Sequence, residues 1–195
     1  MRSLEEIDVA VADAVQSVVL AFQASPFGFL YESDLHALLF SELRARLPHT
    51  FSVPRSNASE PPYELRLVYS EYRRIDLVCL DPFRAQAVLQ EHHKGWDTYI
   101  YALPIHIGIE LKYRKMGDIF DFAACRADLE KLKGLRASGG VTHTLALAFL
   151  QDTRYTEDFL SLAGLSWRES TIDHVSNLNA IYVFTPKDMF RYEEA

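Results

Sequence analysis

The alternation of hydrophobic and polar residues is strictest between Pro104 and Tyr113. Isoleucine or leucine occupies every odd position from 105 to 111, and the even positions include Glu110 and Lys112. Because successive side chains of a strand point to opposite faces, this pattern predicts a strand with one core face. The other face carries a carboxylate and an ammonium group two residues apart. Alone, such a pair is typical of a solvated strand end.

Helical periodicity predicts an amphipathic helix before Ser25, a second helix over about Tyr31 to Leu47 and a third from about Ile119 to Leu135. Ser3 and Glu6 form a capping box for the first of them. Glu32 points along the leucine stripe of the second helix. Burying a carboxylate on that stripe is costly unless it is paired with another group or has a functional role. Stabilisation by the helix dipole is the alternative that stays open.

Shorter apolar runs predict the remaining strands. Asp76 interrupts an apolar face within the run Arg73–Leu80, which is costly unless the acid is paired with a neighbouring arginine or binds a cation. Thr142–Leu150 lacks alternation, which indicates a central strand buried on both faces. The other predicted segments are, in chain order, a polar loop 48–62, a strand 64–69, a turn 70–72, a helix or hairpin within 83–103, a short helix 155–162, a last strand 180–185 and a charged tail.

Composition indicates one globular domain of 195 residues, with 49% hydrophobic and 24% charged residues. A net charge of −7 argues against a strongly basic nucleic-acid coat, although it does not exclude a local basic groove. Cys79 and Cys125 have neither disulfide nor zinc spacing, so we expect reduced thiols in a cytoplasmic protein. The acidic start is unlike a signal peptide, and the apolar run Ala14–Phe22 is predicted to be too short to span a membrane.

Arg74–Val78 followed by Ile109–Lys112, in the order helix, three strands, helix and strand, resembles the PD-(D/E)XK nuclease superfamily. The resemblance covers roughly residues 31–150. It implies an α/β restriction-endonuclease-like fold in three layers, with an αβββαβ core and a mixed central sheet. The single domain of residues 1–195 would add an N-terminal helix (1–24) and a C-terminal extension (151–195) with one more strand. Ile75 stands where the motif's name has proline.

The resemblance also implies roles for individual residues. Asp76, Glu110 and the Leu111 carbonyl would bind Mg²⁺ or Mn²⁺, the hard cations that oxygen ligands suit. Lys112 would position or activate the attacking water, and Glu32 would orient water on the metal. Four basic residues that follow the motif are candidates for phosphate contacts: Arg114, Lys115, Arg126 and Lys133.

Three functions are compatible with these patterns. The first is a Mg²⁺-dependent nuclease acting on DNA. The second is an inactive member of the same fold, serving as a nucleic-acid-binding or protein-interaction subunit of a larger assembly. The third is a hydrolase using His106 or His143, which no Ser/His/Asp or Cys/His signature supports. His106 shares the predicted Glu110 face, either in the same cleft or as a neutral structural histidine. The first helix is the candidate face for a homodimer.

Overall fold

The computed structural model describes residues 3–53, 59, 61–91, 102–119, 122–153 and 167–194. Arg55 and Asn57, which the predicted loop 48–62 offers as phosphate contacts, lie outside these residues, as do the adjacent histidines His92 and His93, which would point in different directions on any regular element, and the predicted helix 155–162. The described part is mixed α/β, as predicted. It contains four α-helices: α1 (Leu4–Ala24), α2 (Glu32–Arg46), α3 (Pro82–Glu91) and α4 (Phe122–Ala137). Its strands are β1 (Thr50–Val53), β2 (Tyr63–Arg66), β3 (Val68–Tyr72), β4 (Ile75–Leu80), β5 (Ile105–Arg114), β6 (Val141–Leu150), β7 (Trp167–Thr171), β8 (Ile181–Phe184) and β9 (Met189–Glu194).

Seven strands form a mixed sheet in the order β3-β4-β5-β6-β8-β9-β7. The central strands β5, β6 and β8 are parallel, and both flanks are antiparallel. The predicted strand 142–150 therefore lies inside the sheet, where its apolar residues are covered from both sides. β1 and β2 pair separately as a two-stranded hairpin.

Helices cover both faces of the large sheet. Phe22 of α1 packs edge-on against Phe149 of β6, with ring centroids 5.3 Å apart. Leu129 of α4 packs instead on the cluster that contains Ala148 of the same strand. Because neighbouring residues of a strand point to opposite faces, α1 and α4 lie on opposite sides of the sheet.

The first helix begins with the predicted capping box between Ser3 and Glu6. It is longer than the apolar run Ala14–Phe22 noted in the sequence, and its 21 residues are long and apolar enough to cross a membrane by length and composition alone. Its apolar stripe, however, is buried within the fold. Gln16 accepts from the Val175 amide at 3.2 Å, and Gln23 donates to the Thr185 carbonyl at 3.2 Å. These contacts are those of a core helix rather than of a membrane anchor.

Two strand boundaries differ from the prediction. The run 64–69 is divided between β2 and β3, and the turn that follows consists of Arg73 and Arg74. Both arginines have positive φ, 54° and 64°, as a two-residue hairpin turn requires. Glycine or asparagine normally marks such a turn, so its signal was missing from the sequence.

The predicted charged tail is wrong, because residues 189–194 form strand β9 between β8 and β7. Met189 and Tyr192 of this strand are buried. Arg191 and Glu193, which made the segment look solvated, form an ion pair at 2.8 Å. Pairing with strands on both sides thus makes residues 189–194 a strand despite their polar composition.

Candidate active site

Asp76 and Glu110 lie opposite each other on adjacent antiparallel strands. The register pairs Leu77 with Ile109 and Val78 with Gly108, and one further step places Asp76 against Glu110. Directly opposite residues share a face of the sheet. The negative charge of Asp76 also raises the pKa of Glu110. The two predicted acids are therefore neighbours, where β4 begins beside the middle of the central strand β5.

β5 continues past the first residue of β4, so among the described residues the backbone amides of its last residues have no strand partner on that side. Carboxylates accept from two of these amides instead. The Leu111 amide donates to Asp76 Oδ2 at 2.8 Å, and the Tyr113 amide donates to Glu32 Oε2 at 3.0 Å. In a strand, the N–H and C=O of one residue point to the same neighbour. The Leu111 carbonyl accordingly points to the side where Asp76 lies, as the predicted ligand set requires.

Lys112 lies between two acids. Its Nζ is 2.8 Å from Asp128 Oδ2 and 4.0 Å from Glu32 Oε1. Burial lowers the pKa of Lys112, but the hydrogen bond to Asp128 and the charges of Glu32, Asp128 and Asp76 outweigh burial and raise it. Lys112 is thus an ammonium group at neutral pH, suited to hold a water molecule or a phosphate oxygen rather than to accept a proton.

Glu110 is the most deeply buried acid of this group, with 3% of its side chain exposed. Its Oε1 forms an ion pair at 2.5 Å with Nζ of Lys131, which also donates to the Arg74 carbonyl at 2.7 Å. Burial raises the pKa of Glu110 to about 7, and the charges of Asp76 and Asp128 add to that effect against the opposing effect of Lys131. Burial likewise raises the pKa of Glu32.

These six residues form what we call the acidic cluster: Glu32, Asp76, Glu110, Lys112, Asp128 and Lys131. Its four carboxyl groups and two ammonium groups leave a formal excess of two negative charges when all are ionised. A cleft of about 190 Å³ adjoins the cluster and is lined by Glu32, Asp76 and Leu111 among others. Carboxylate oxygens with an excess of two negative charges suit one divalent cation such as Mg²⁺, which prefers oxygen ligands.

Asp128 and Lys131 of α4 were not among the predicted site residues. They are three residues apart and therefore share a helix face, where their Oδ1 and Nζ are 3.5 Å apart. Leu132, four residues after Asp128, is buried. An acid one turn before a core leucine is the signal that could have identified them, as it did for Glu32.

The predicted phosphate contact of Arg114 is wrong. Its side chain is buried, and its guanidinium donates to the Asp118 carbonyl and to Asp152 Oδ1, both at 2.9 Å. Lys115, Arg126 and Lys133 are exposed and could still reach phosphates. Lys115 lies over the Tyr31 ring, 5.5 Å from its centroid.

His106 does not line the cleft of the acidic cluster. Its Nε2 is 2.7 Å from Asp8 Oδ1 on α1, and its ring packs on His143 with centroids 5.0 Å apart. Neither partner belongs to the acidic cluster. Among the described residues, His106 therefore has no contact that would support a role beside Glu110.

Replacing Glu110 by glutamine should stabilise the metal-free protein above pH 7. A folded-state pKa of about 7, against 4.5 for the unfolded chain, means that stability is lost as pH rises between these values. The neutral glutamine avoids this loss, so Glu110→Gln should gain on the order of 2 kcal/mol at pH 8 and much less at pH 5. Urea unfolding of both proteins in a chelator at the two pH values measures the difference.

Glu130→Gln is the matched control, because Glu130 lies on α4 with 67% of its side chain exposed. Its effect on the free energy of unfolding should be small at both pH values. Equal changes at pH 5 and pH 8 in Glu110→Gln would show that the carboxyl group of Glu110 is not held in its neutral form by burial.

Comparison with family models, curated proteins and solved structures finds no match to this chain, so the site stands on its own geometry.

Proposed function

We propose that this protein is a metal-dependent nuclease that hydrolyses phosphodiester bonds, with DNA as the substrate. The observation that supports the proposal best is the cross-strand pairing of Asp76 with Glu110 where β4 begins beside β5, with Lys112 two residues further along β5. Both acids and the lysine were predicted from the sequence as a single site. Their convergence is what a shared cation would need.

The fold supports the same proposal at a coarser level. The elements α2, β3, β4, β5, α4 and β6 follow the αβββαβ order of a restriction-endonuclease-like core, with β1–β2 and α3 as insertions. α1 and the strands β7, β8 and β9 would extend that core. We take a core of about residues 31–150 as the unit that carries the proposed activity.

In this proposal Asp76, Glu110 and the Leu111 carbonyl hold Mg²⁺ or Mn²⁺. When bound, the cation neutralises charge on the phosphate and lowers the pKa of a coordinated water. Glu32, fixed by the Tyr113 amide, orients that water, and the ammonium group of Lys112 donates to it or to the phosphate. Asp128 keeps Lys112 charged and in place through their 2.8 Å ion pair.

Positive charge that could attract a nucleic acid is found near the acidic cluster. Lys115 follows β5, and Arg126 and Lys133 lie on α4, so all three belong to the elements that hold the cluster. The overall charge of −7 provides no general attraction, and these cations would have to supply it. Cys79, free and buried, fits a cytoplasmic location for this nuclease.

Cleavage assays test this function. Purified wild-type protein, first stripped with EDTA, is incubated with supercoiled plasmid, linear duplex, single-stranded DNA and RNA, with and without Mg²⁺ or Mn²⁺. We expect nicking or cutting of DNA with either metal and none in EDTA. Failure to cleave any of these substrates under conditions in which calorimetry detects metal binding would refute the proposal.

One contact favours the alternative of an inactive binding subunit. The ammonium group of Lys131 lies 2.5 Å from Glu110 Oε1, where it neutralises the acid that a metal would need. In this alternative Lys131 replaces the cation permanently, and the protein acts through a nucleic-acid or protein partner. Calorimetry distinguishes the two functions, because a nuclease must bind Mg²⁺ or Mn²⁺ at the acidic cluster and the alternative predicts no binding there.

A further inference from the structure

A second group of possible metal ligands lies outside the acidic cluster, where three elements meet. Asp8 comes from α1, His106 from β5 and His143 from β6. One ligand atom from each residue lies within 4.8 Å of the other two. Asp8 and His106 are 98 residues apart in the chain, so the fold alone assembles this group.

His106 is the buried member of the group, with 2% of its surface exposed. Its Nε2 contacts Asp8 Oδ1 at 2.7 Å, whereas Nδ1 has no hydrogen-bond partner in the described part of the chain. A buried polar atom without a partner costs about 1–3 kcal/mol. Among the described residues, the hydrogen bond to Asp8 therefore leaves one ring nitrogen of His106 unused.

His143 is held in place by a residue of the segment before β8. Asn179 lies 2.9 Å from Nδ1 and fixes the orientation of the ring. The amide oxygen of Asn179 accepts from the Thr144 backbone N–H at 3.3 Å, so its amide nitrogen is the atom that lies beside the His143 ring.

The distances suit a small cation with nitrogen ligands. Zn²⁺ binds histidine nitrogen and carboxylate oxygen at about 2.0–2.2 Å, so ligand atoms of a tetrahedral site are roughly 3.3–3.5 Å apart. The group here has its ligand atoms within 4.8 Å, with the Asp8–His106 contact shorter at 2.7 Å. Side-chain movements of about 1 Å would bring all three to the required spacing, and imidazole ligands favour Zn²⁺ over Mg²⁺.

Solvent can reach this group through an adjoining cavity of about 460 Å³. The cavity is lined by Asp8 and His143 together with polar residues of the segment before β8, including Ser176, Asn177 and Asn179. Asp8 keeps 33% of its side chain exposed. The cavity thus provides an entry path and room for water as a further ligand.

We propose that Asp8, His106 and His143 form a Zn²⁺ site, with the fourth position open to this cavity. The site joins α1 to β5 and β6 at a place separate from the acidic cluster. It does not depend on the nuclease activity, and it stands if that activity is absent. Three protein ligands with one open position is the arrangement of zinc sites that can also bind a small ligand.

Calorimetric titration of EDTA-stripped, full-length protein with Zn²⁺ tests the site. We expect the wild-type protein to show a Zn²⁺-binding component, and we expect Asp8→Asn and His143→Ala each to lower the affinity of that component at least tenfold. Two matched controls should keep that component. His174→Ala removes an exposed histidine near the cavity that is not part of the group, and Asp76→Asn alters the acidic cluster. Circular dichroism verifies that each variant is folded.

Nitrogen-15 NMR of the histidine rings tests the site in the wild-type protein, so its result does not depend on whether a variant folds. Zn²⁺ should shift the ring nitrogens of His106 and His143 and leave those of His174 in place. Unchanged His106 and His143 signals at saturating Zn²⁺ would overturn the proposal, as would wild-type affinity in a folded Asp8→Asn or His143→Ala protein.

Discussion

Replacing Glu110 by glutamine, or Asp76 by asparagine, should lower metal-dependent DNA cleavage by about 1,000-fold or more. Each substitution removes a charged metal ligand from a site whose two acids face each other across adjacent strands. Bound metal contributes several kcal/mol to the stabilisation of a phosphoryl-transfer transition state, and each 1.36 kcal/mol is about tenfold in rate. Single-turnover cleavage at saturating protein measures the loss of the chemical step.

Glu130→Gln is again the matched control for this assay and should cleave at the wild-type rate, since its exposed carboxyl group contacts Lys133 rather than the acidic cluster. Glu110→Gln is expected to be folded and more stable than the wild type above pH 7, so unfolding would not explain its inactivity. Undiminished cleavage by folded Glu110→Gln or Asp76→Asn would exclude the proposed mechanism.

Replacing Arg114 by methionine should destabilise the protein by about 3–5 kcal/mol, because the change removes a buried guanidinium together with its ion pair to the largely buried carboxylate of Asp152. Arg114 is buried at 2% exposure, and its guanidinium joins the end of β5 to Asp152 and the Asp118 carbonyl. For a domain of this size we expect the melting temperature to fall by about 10 °C. Urea unfolding and calorimetry measure both quantities.

Lys115→Met changes the neighbouring cation, which is 46% exposed, and should alter the free energy of unfolding by less than about 0.5 kcal/mol. If Arg114→Met proved as stable as Lys115→Met, the guanidinium would have no structural role. The prediction that Arg114 serves nucleic-acid binding would then regain its basis.

The parts of the site that depend on local pattern could be predicted from sequence. Alternation along β5 placed Glu110 and Lys112 on one face, and the apolar run around Asp76 made that acid conspicuous. The leucine stripe of α2 did the same for Glu32. All three acids are joined to the same stretch of β5 in the structure, two by hydrogen bonds to its amides and one as its own residue.

The parts that depend on packing between distant elements could not be predicted. Lys131 meets Glu110 only because α4 lies on one particular face of β5. Arg114 was a candidate phosphate contact because it follows the motif, but its partner Asp152 comes 38 residues later, after β6. The contact of His106 with Asp8 depends on α1, whose position relative to the sheet no local pattern specifies.

The ties between α1 and the end of the chain have a consequence for biosynthesis. Gln16 and Gln23 bond to backbone groups 159 and 162 residues further on, so α1 acquires these two contacts late in synthesis. At about 5–20 residues per second, that interval lasts roughly 8–30 s on the ribosome. Until β6 has been made, the apolar stripe of α1 lacks the strand on which Phe22 packs, which makes the nascent chain a natural client of chaperones.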